Sequence, residues 1–152
     1  MHLASYLGLL RDSEASLAKG FQLVGAHHGD EPDVERLCEV LGDQAAAHVR
    51  ALDPVVQRYG EHEDSEPARL QAAEFSGTRE GGVGLLRDLQ DLYSLASFVD
   101  ITWTVVNQAA QALRDRELLE VISSCQQETG RQLSWLQTRI KQAAPQALIA
   151  AD

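Results

Sequence analysis

LASYLGLLRDSEASLAKGFQLVGAHH, residues 3–28, reads as an amphipathic helix with one residue out of place. Written at helical spacing, Leu3, Leu7, Leu10, Leu17, Phe21 and Val24 fall on a single stripe. Glu14 stands in the middle of that stripe, where the pattern asks for a leucine. An unpaired carboxylate buried there costs on the order of several kcal/mol. The pattern therefore predicts either a partner for Glu14 or a protonated carboxyl, and the flanking sequence is read for that partner.

Outward from this stretch the chain divides into three more helices. Gly29-Asp30 stops the first, and Glu31-Pro32-Asp33 opens the second, with proline in its first turn and acids at the positive end of the dipole. The second helix, 32–59, carries Val34, Leu37, Cys38, Leu41, Leu52, Val55 and Tyr59 on one face. His48 falls inside that face and Gln44 at its margin, while Pro54 predicts a bend or a break about a turn earlier. Residues 60–82 are acidic and turn-rich, with His62 set among Glu61, Glu63 and Asp64, and Gly77, Gly81 and Gly82 following. They read as a long crossover in which Ala68 to Phe75 has the pattern of a short helix. The third helix, 83–113, shows a heptad-like seam of Leu85, Leu89, Leu92, Ala96, Val99, Trp103, Val106, Ala110 and Leu113. After a tight turn at Arg114-Asp115, the fourth helix, 117–143, buries Leu118, Ile122, Cys125, Thr129, Leu133, Leu136 and Ile140. Pro145 closes it, and 146–152 reads as a loose tail.

Two short hairpins joined by a long connection define an architecture. Helices of about 27 residues are about 40 Å long. An extended strand of about 12 residues runs back along that length. The crossover is long enough for the second and third helices to run parallel, which predicts an all-α, single-domain four-helix bundle with one long crossover.

Composition limits what such a bundle does. At 152 residues, 44% hydrophobic and 24% charged, the chain has the make-up of one soluble domain. A net charge of −10 excludes a nucleic-acid surface and disfavours anionic membranes. There is no apolar run of membrane-spanning length and no basic-then-apolar leader, so the expectation is a cytoplasmic protein. Cys38 and Cys125 fit no metal or redox spacing and read as buried free thiols.

Level bookkeeping places the partner of Glu14. In a hairpin turning near residue 30, residues whose numbers add to about 62 lie level, as Glu14 and His48 do. In the second hairpin the same rule sets Asp100 close to Glu128, both at the edge of their seams. With the two middle helices parallel, all four reach one mid-bundle level. Glu14, His48, Asp100 and Glu128 are thus a candidate metal-ligating layer.

This layout resembles the ferritin-like superfamily over nearly the whole chain. The resemblance implies a glutamate on the first and third helices and Glu-x-x-His on the second and fourth. Carried over, Glu14 matches the first-helix ligand and His48 the second-helix histidine, with Ala45 where its glutamate is expected and Gln44 one residue off. Glu128-Thr-Gly-Arg131 matches on the fourth helix, with arginine in the histidine place, and Asp100 is the nearest carboxylate on the third. Three readings follow: a metal-free polar layer that sets register, an incomplete or mononuclear site, and a di-iron centre. Arg131 could also supply the positive charge beside Asp100 or Glu128. The missing ligands favour a non-catalytic binding or assembly protein without cofactor. The alternative is an iron- or manganese-dependent oxidoreductase or iron-handling protein.

The remaining features have plainer readings. His27-His28 reads as a cap at the negative end of the first helix. Trp103 and Trp135 read as packing residues. Leu9, Leu86 and Trp135, beyond the inward seams, suggest self-association or a protein partner.

Overall fold

The computed structural model describes residues 2–60 and 74–150. Four helices make up the described chain: α1 Leu3–His27, α2 Pro32–Tyr59, α3 Gly81–Leu113 and α4 Arg116–Pro145. Several boundaries have a local cause. Pro32 enters α2 at its first turn with Asp33 and Glu35 beside it. Gly60, at φ 83°, ends α2 by returning its N–H to Val56 O at 3.0 Å. Between α3 and α4 the turn is two residues. Arg114 adopts the left-handed conformation at φ 55°, and the Asp115 carboxylate accepts the Leu118 N–H at 3.1 Å as the N-cap of α4.

The topology follows from what meets at each end. His28 reaches Asp88 at one end of α1, while Leu3 and Tyr6 share a groove with Val106 and Leu113 at the other, so α1 and α3 are antiparallel. Arg139 bonds Asp33 and Arg58 bonds Asp115, so α2 and α4 are antiparallel too. With α1 and α2 joined by a short turn, α2 and α3 run in the same direction. Helix α1 packs on α2 and α3, and α4 on α3 and α2, without close backbone approach across either diagonal. This is the bundle of two hairpins with a long crossover that the sequence predicts.

The core lies on the inward stripes, with Leu7, Leu10, Leu17, Phe21, Leu52, Leu89, Leu92, Val99, Trp103, Leu118 and Leu136 all at 0% exposure. Cys38 and Cys125 are free and buried. Close helix approach has a visible cause at Gly25, where an added Cβ would lie 2.9 Å from the Cys38 Cβ.

Several expectations need correction. Helix α2 is not broken before Pro54 but runs through it to Tyr59. Residues 146–150 form a π-helical turn that packs on α3 and α4 with Ala147 buried, rather than a loose tail. Leu9 and Leu86 are buried at 8% and 7%, and Trp135 is half-buried against the core, so these three do not form an outer patch. The acidic turn around His62 and most of the 68–75 segment lie outside the described residues, and Glu74 and Phe75 are not helical. No described helix is long and apolar enough to cross a membrane.

Candidate functional site

Glu14 and His48 project from the centres of the inward stripes of α1 and α2 and meet as level bookkeeping requires. Both are buried, at 0% and 2% exposure. The Glu14 Oε2 atom is hydrogen-bonded to His48 Nδ1. On the opposite edge of the ring, His48 Nε2 lies 3.2 Å from Glu128 Oε1 of α4. Trp103 of α3 meets the imidazole edge to face, with ring centroids 6.3 Å apart. One imidazole thus bridges two carboxylates from two other helices, and an indole closes the fourth side.

This geometry fixes a proton count. Each nitrogen–oxygen line needs one proton, because a bare ring nitrogen facing a carboxylate oxygen is repulsive. Two protons over the three groups leave the layer with one net negative charge. Burial works against a charged imidazole, but the hydrogen bonds and charges of Glu14 and Glu128 outweigh it and hold the His48 pKa above its ordinary value. Burial likewise raises Glu14, against the opposing pull of His48. Both shifts have one meaning: the layer retains a proton that the separated groups would release. The neighbouring Cys125 thiol is pushed up to about 12, by burial first and then by Glu14 and Glu128.

Four buried polar atoms here and nearby lack a partner among the described residues: Ser13 Oγ, Glu14 Oε1, Trp103 Nε1 and Gln132 Oε1. One turn towards the α1–α2 connection, the Gln132 amide donates to Gln44 at 3.3 Å. The α2–α4 seam is therefore polar at two successive levels.

Of the four sequence candidates, the structure unites Glu14, His48 and Glu128 and sets Asp100 apart. Asp100 faces the α3–α4 seam, where the Gln126 amide donates to its carboxylate at 3.4 Å and to its carbonyl at 3.3 Å. Arg131 is exposed, and Ala45 is buried apolar surface where a ferritin-like ligand set would place glutamate.

The arrangement does not fit a di-iron centre. The two carboxylates lie on opposite edges of one ring, and each occupies a nitrogen that a metal would need. Among the described residues no group of three or more His, Cys, Asp or Glu side chains is placed to hold a metal ion.

A second polar cluster escaped the sequence reading. His28 is no simple dipole cap: its ring is buried at 4% and bonds Asp88, itself at 0%, at 2.8 Å. Asp88 also accepts the Arg79 backbone N–H at 2.9 Å and its guanidinium at 2.8 Å, and that guanidinium continues to Asp91 at 2.9 Å. The cluster ties the end of the crossover to α1 and α3. The signal was in the sequence, for Asp88 sits three residues after Leu85 and four before Leu92, on the same inward stripe.

No protein-family model, curated protein or solved structure matches the chain.

Proposed function

We propose that the protein is a non-catalytic, cytoplasmic binding or assembly module on a ferritin-like scaffold, with a histidine held between two carboxylates at the level where that scaffold carries metal. One observation supports this most: both nitrogens of His48 are committed to carboxylates of the protein itself. Burial points the same way, because Glu14 and His48 are at 0% and 2% exposure, out of reach of a substrate. Among the described residues, three surface grooves lie at the bundle ends and beside residues 74–79, and none of these is lined by Glu14, His48 or Glu128.

In this reading the layer specifies rather than stabilises. Burying charge offsets much of what pairing gains, but a misaligned helix would strand a carboxylate in the core, so the layer fixes the register of α1, α2 and α4. The test is metal analysis of the protein purified from iron- and manganese-supplied cells. The expected result is metal far below one equivalent, unchanged by His48→Gln. Stoichiometric iron or manganese that is lost in His48→Gln would overturn the reading in favour of a metal-dependent protein.

A further inference from the structure

The chain enters α3 along residues 74–80, which are non-helical and lie against both α1 and α3. Two helical glycines make room for them. At Gly20 of α1 an added Cβ would lie 3.1 Å from Phe75 Cγ and 3.0 Å from Leu92 Cδ2, so the missing side chain leaves a notch that Phe75 covers. At Gly84, in the first turn of α3, an added Cβ would lie 2.8 Å from the Arg79 carbonyl carbon, so the backbone at 79 rests directly on the helix.

The fit is close, but the fastenings are few and open to water. Among the described residues no backbone–backbone hydrogen bond ties 74–80 to a helix. The Arg79 N–H donates to the Asp88 side chain instead. The Arg79 guanidinium, bonded to Asp88 and Asp91, is 40% exposed, and Glu80, 3.0 Å from His27, is 91% exposed. Ion pairs so accessible to solvent hold weakly. Phe75 is half-buried. Asp88 is buried, but it does not depend on Arg79 alone, because His28 bonds the same carboxylate at 2.8 Å from the other side. Gly77 at φ 137° and Gly81 at φ 76° bracket residues 78–80, and a residue without a Cβ absorbs a change of backbone angles at little cost. Helices α1 and α3 also pack on each other directly, so their association does not require the segment that crosses them.

We infer that residues 74–80 are a strap that lifts from the α1–α3 seam and reseats on it while the four helices stay folded, baring and covering the notch at Gly20. This goes beyond the function reading, and metal content does not bear on it. Hydrogen exchange of the full chain in sub-denaturing urea tests it, because a local opening exposes little surface and responds little to urea. The Arg79 amide should be protected at least about tenfold over a free chain, and its exchange should stay level as urea rises. The Trp103 amide, at a fully buried position of α3, should exchange faster over the same range. Leu118→Ala, in the core at the far end of the bundle, should speed Trp103 at least about tenfold and leave Arg79 unaltered. Phe75→Ala, which empties the notch, and Gly20→Ala, which fills it, should each speed the Arg79 amide about tenfold. An unprotected Arg79 amide overturns the inference, since no strap is then seated. So does one that follows urea and Leu118→Ala in step with Trp103, since it then opens only with the whole bundle. So does one indifferent to both Phe75→Ala and Gly20→Ala, since the notch then does not hold it.

Discussion

Replacing His48 with alanine should shift the pH at which the fold begins to weaken. In the folded wild type the layer holds one proton on each nitrogen–oxygen line, two in all. Unfolded, the same groups titrate at their ordinary values, 4.5 for a glutamate and 6.5 for the histidine. Between those values the unfolded chain carries the same two protons, both on the imidazolium, so stability is level. Above 6.5 the unfolded chain carries one fewer. The His48 pKa is raised in the fold, so its contribution is complete below 6.5 and is lost as pH rises to the folded value. The slope is about 1.4 kcal/mol per pH unit. Without the imidazole, Glu14 stays buried and protonated, and the same slope begins at 4.5. At pH 7 the variant is therefore further down its slope than the wild type, because its slope begins at 4.5 rather than 6.5. The substitution therefore costs up to about 3 kcal/mol at pH 7 beyond a pH-independent cavity contribution, about 1.4 kcal/mol for each pH unit between the two onsets, and only the cavity remains near pH 4.5. Urea midpoints measured from pH 4 to 9 resolve this difference. Adding Glu14→Gln to the alanine variant should flatten its slope. Parallel profiles for wild type and His48→Ala, or a wild-type profile flat above 6.5, would refute the reasoning.

Other perturbations probe the rest of the molecule. Asp88→Ala removes the shared acceptor of His28 and Arg79 at a fully buried position and should cost about 3 kcal/mol in a thermal melt. The Arg79 amide should then lose its protection from hydrogen exchange, and a loss under about 1 kcal/mol would count against the cluster as an anchor. Gly25→Ala drives a Cβ to 2.9 Å from Cys38 and should destabilise by about 1–3 kcal/mol despite better helix propensity. Gly130→Ala, whose Cβ meets nothing within 4 Å, should instead raise stability by about 1 kcal/mol. Cys38 and Cys125, both pushed up to about 12 chiefly by burial, should resist a disulfide reagent at pH 8 and react once urea unfolds the chain.

How much of this was legible beforehand differs from feature to feature. Four helices, the parallel middle pair and the Glu14–His48 contact follow from periodicity and hairpin register, which are local rules applied twice. Asp100 was misplaced because a heptad seam gives depth along the bundle but not the direction of a side chain at its edge. Its carboxylate turns into the α3–α4 seam, where Gln126 competes for it. Glu128 lies at a similar edge but turns the other way, towards α2. Helical period marks Asp88 as inward-facing, but its partners His28 and Arg79 depend on the path of the crossover, which no helical period encodes. Pro145 reads as a stop, yet at the last position of α4 the chain can wind on beyond it, and burial of Ala147 favours that. The uncharged outer face of α3 between Asp91 and Arg114 carries no separate period, because apolar residues there lie on both the inward and the outward side of the helix.

The central claim is that His48 is an imidazole bonded on both sides by carboxylates. Nuclear magnetic resonance of its ring across pH tests this most directly. The account predicts ring resonances whose titration midpoint lies above 6.5, whether or not iron or manganese is added. An ordinary titration near 6.5, or a ring signal that broadens or shifts with stoichiometric metal, would contradict it.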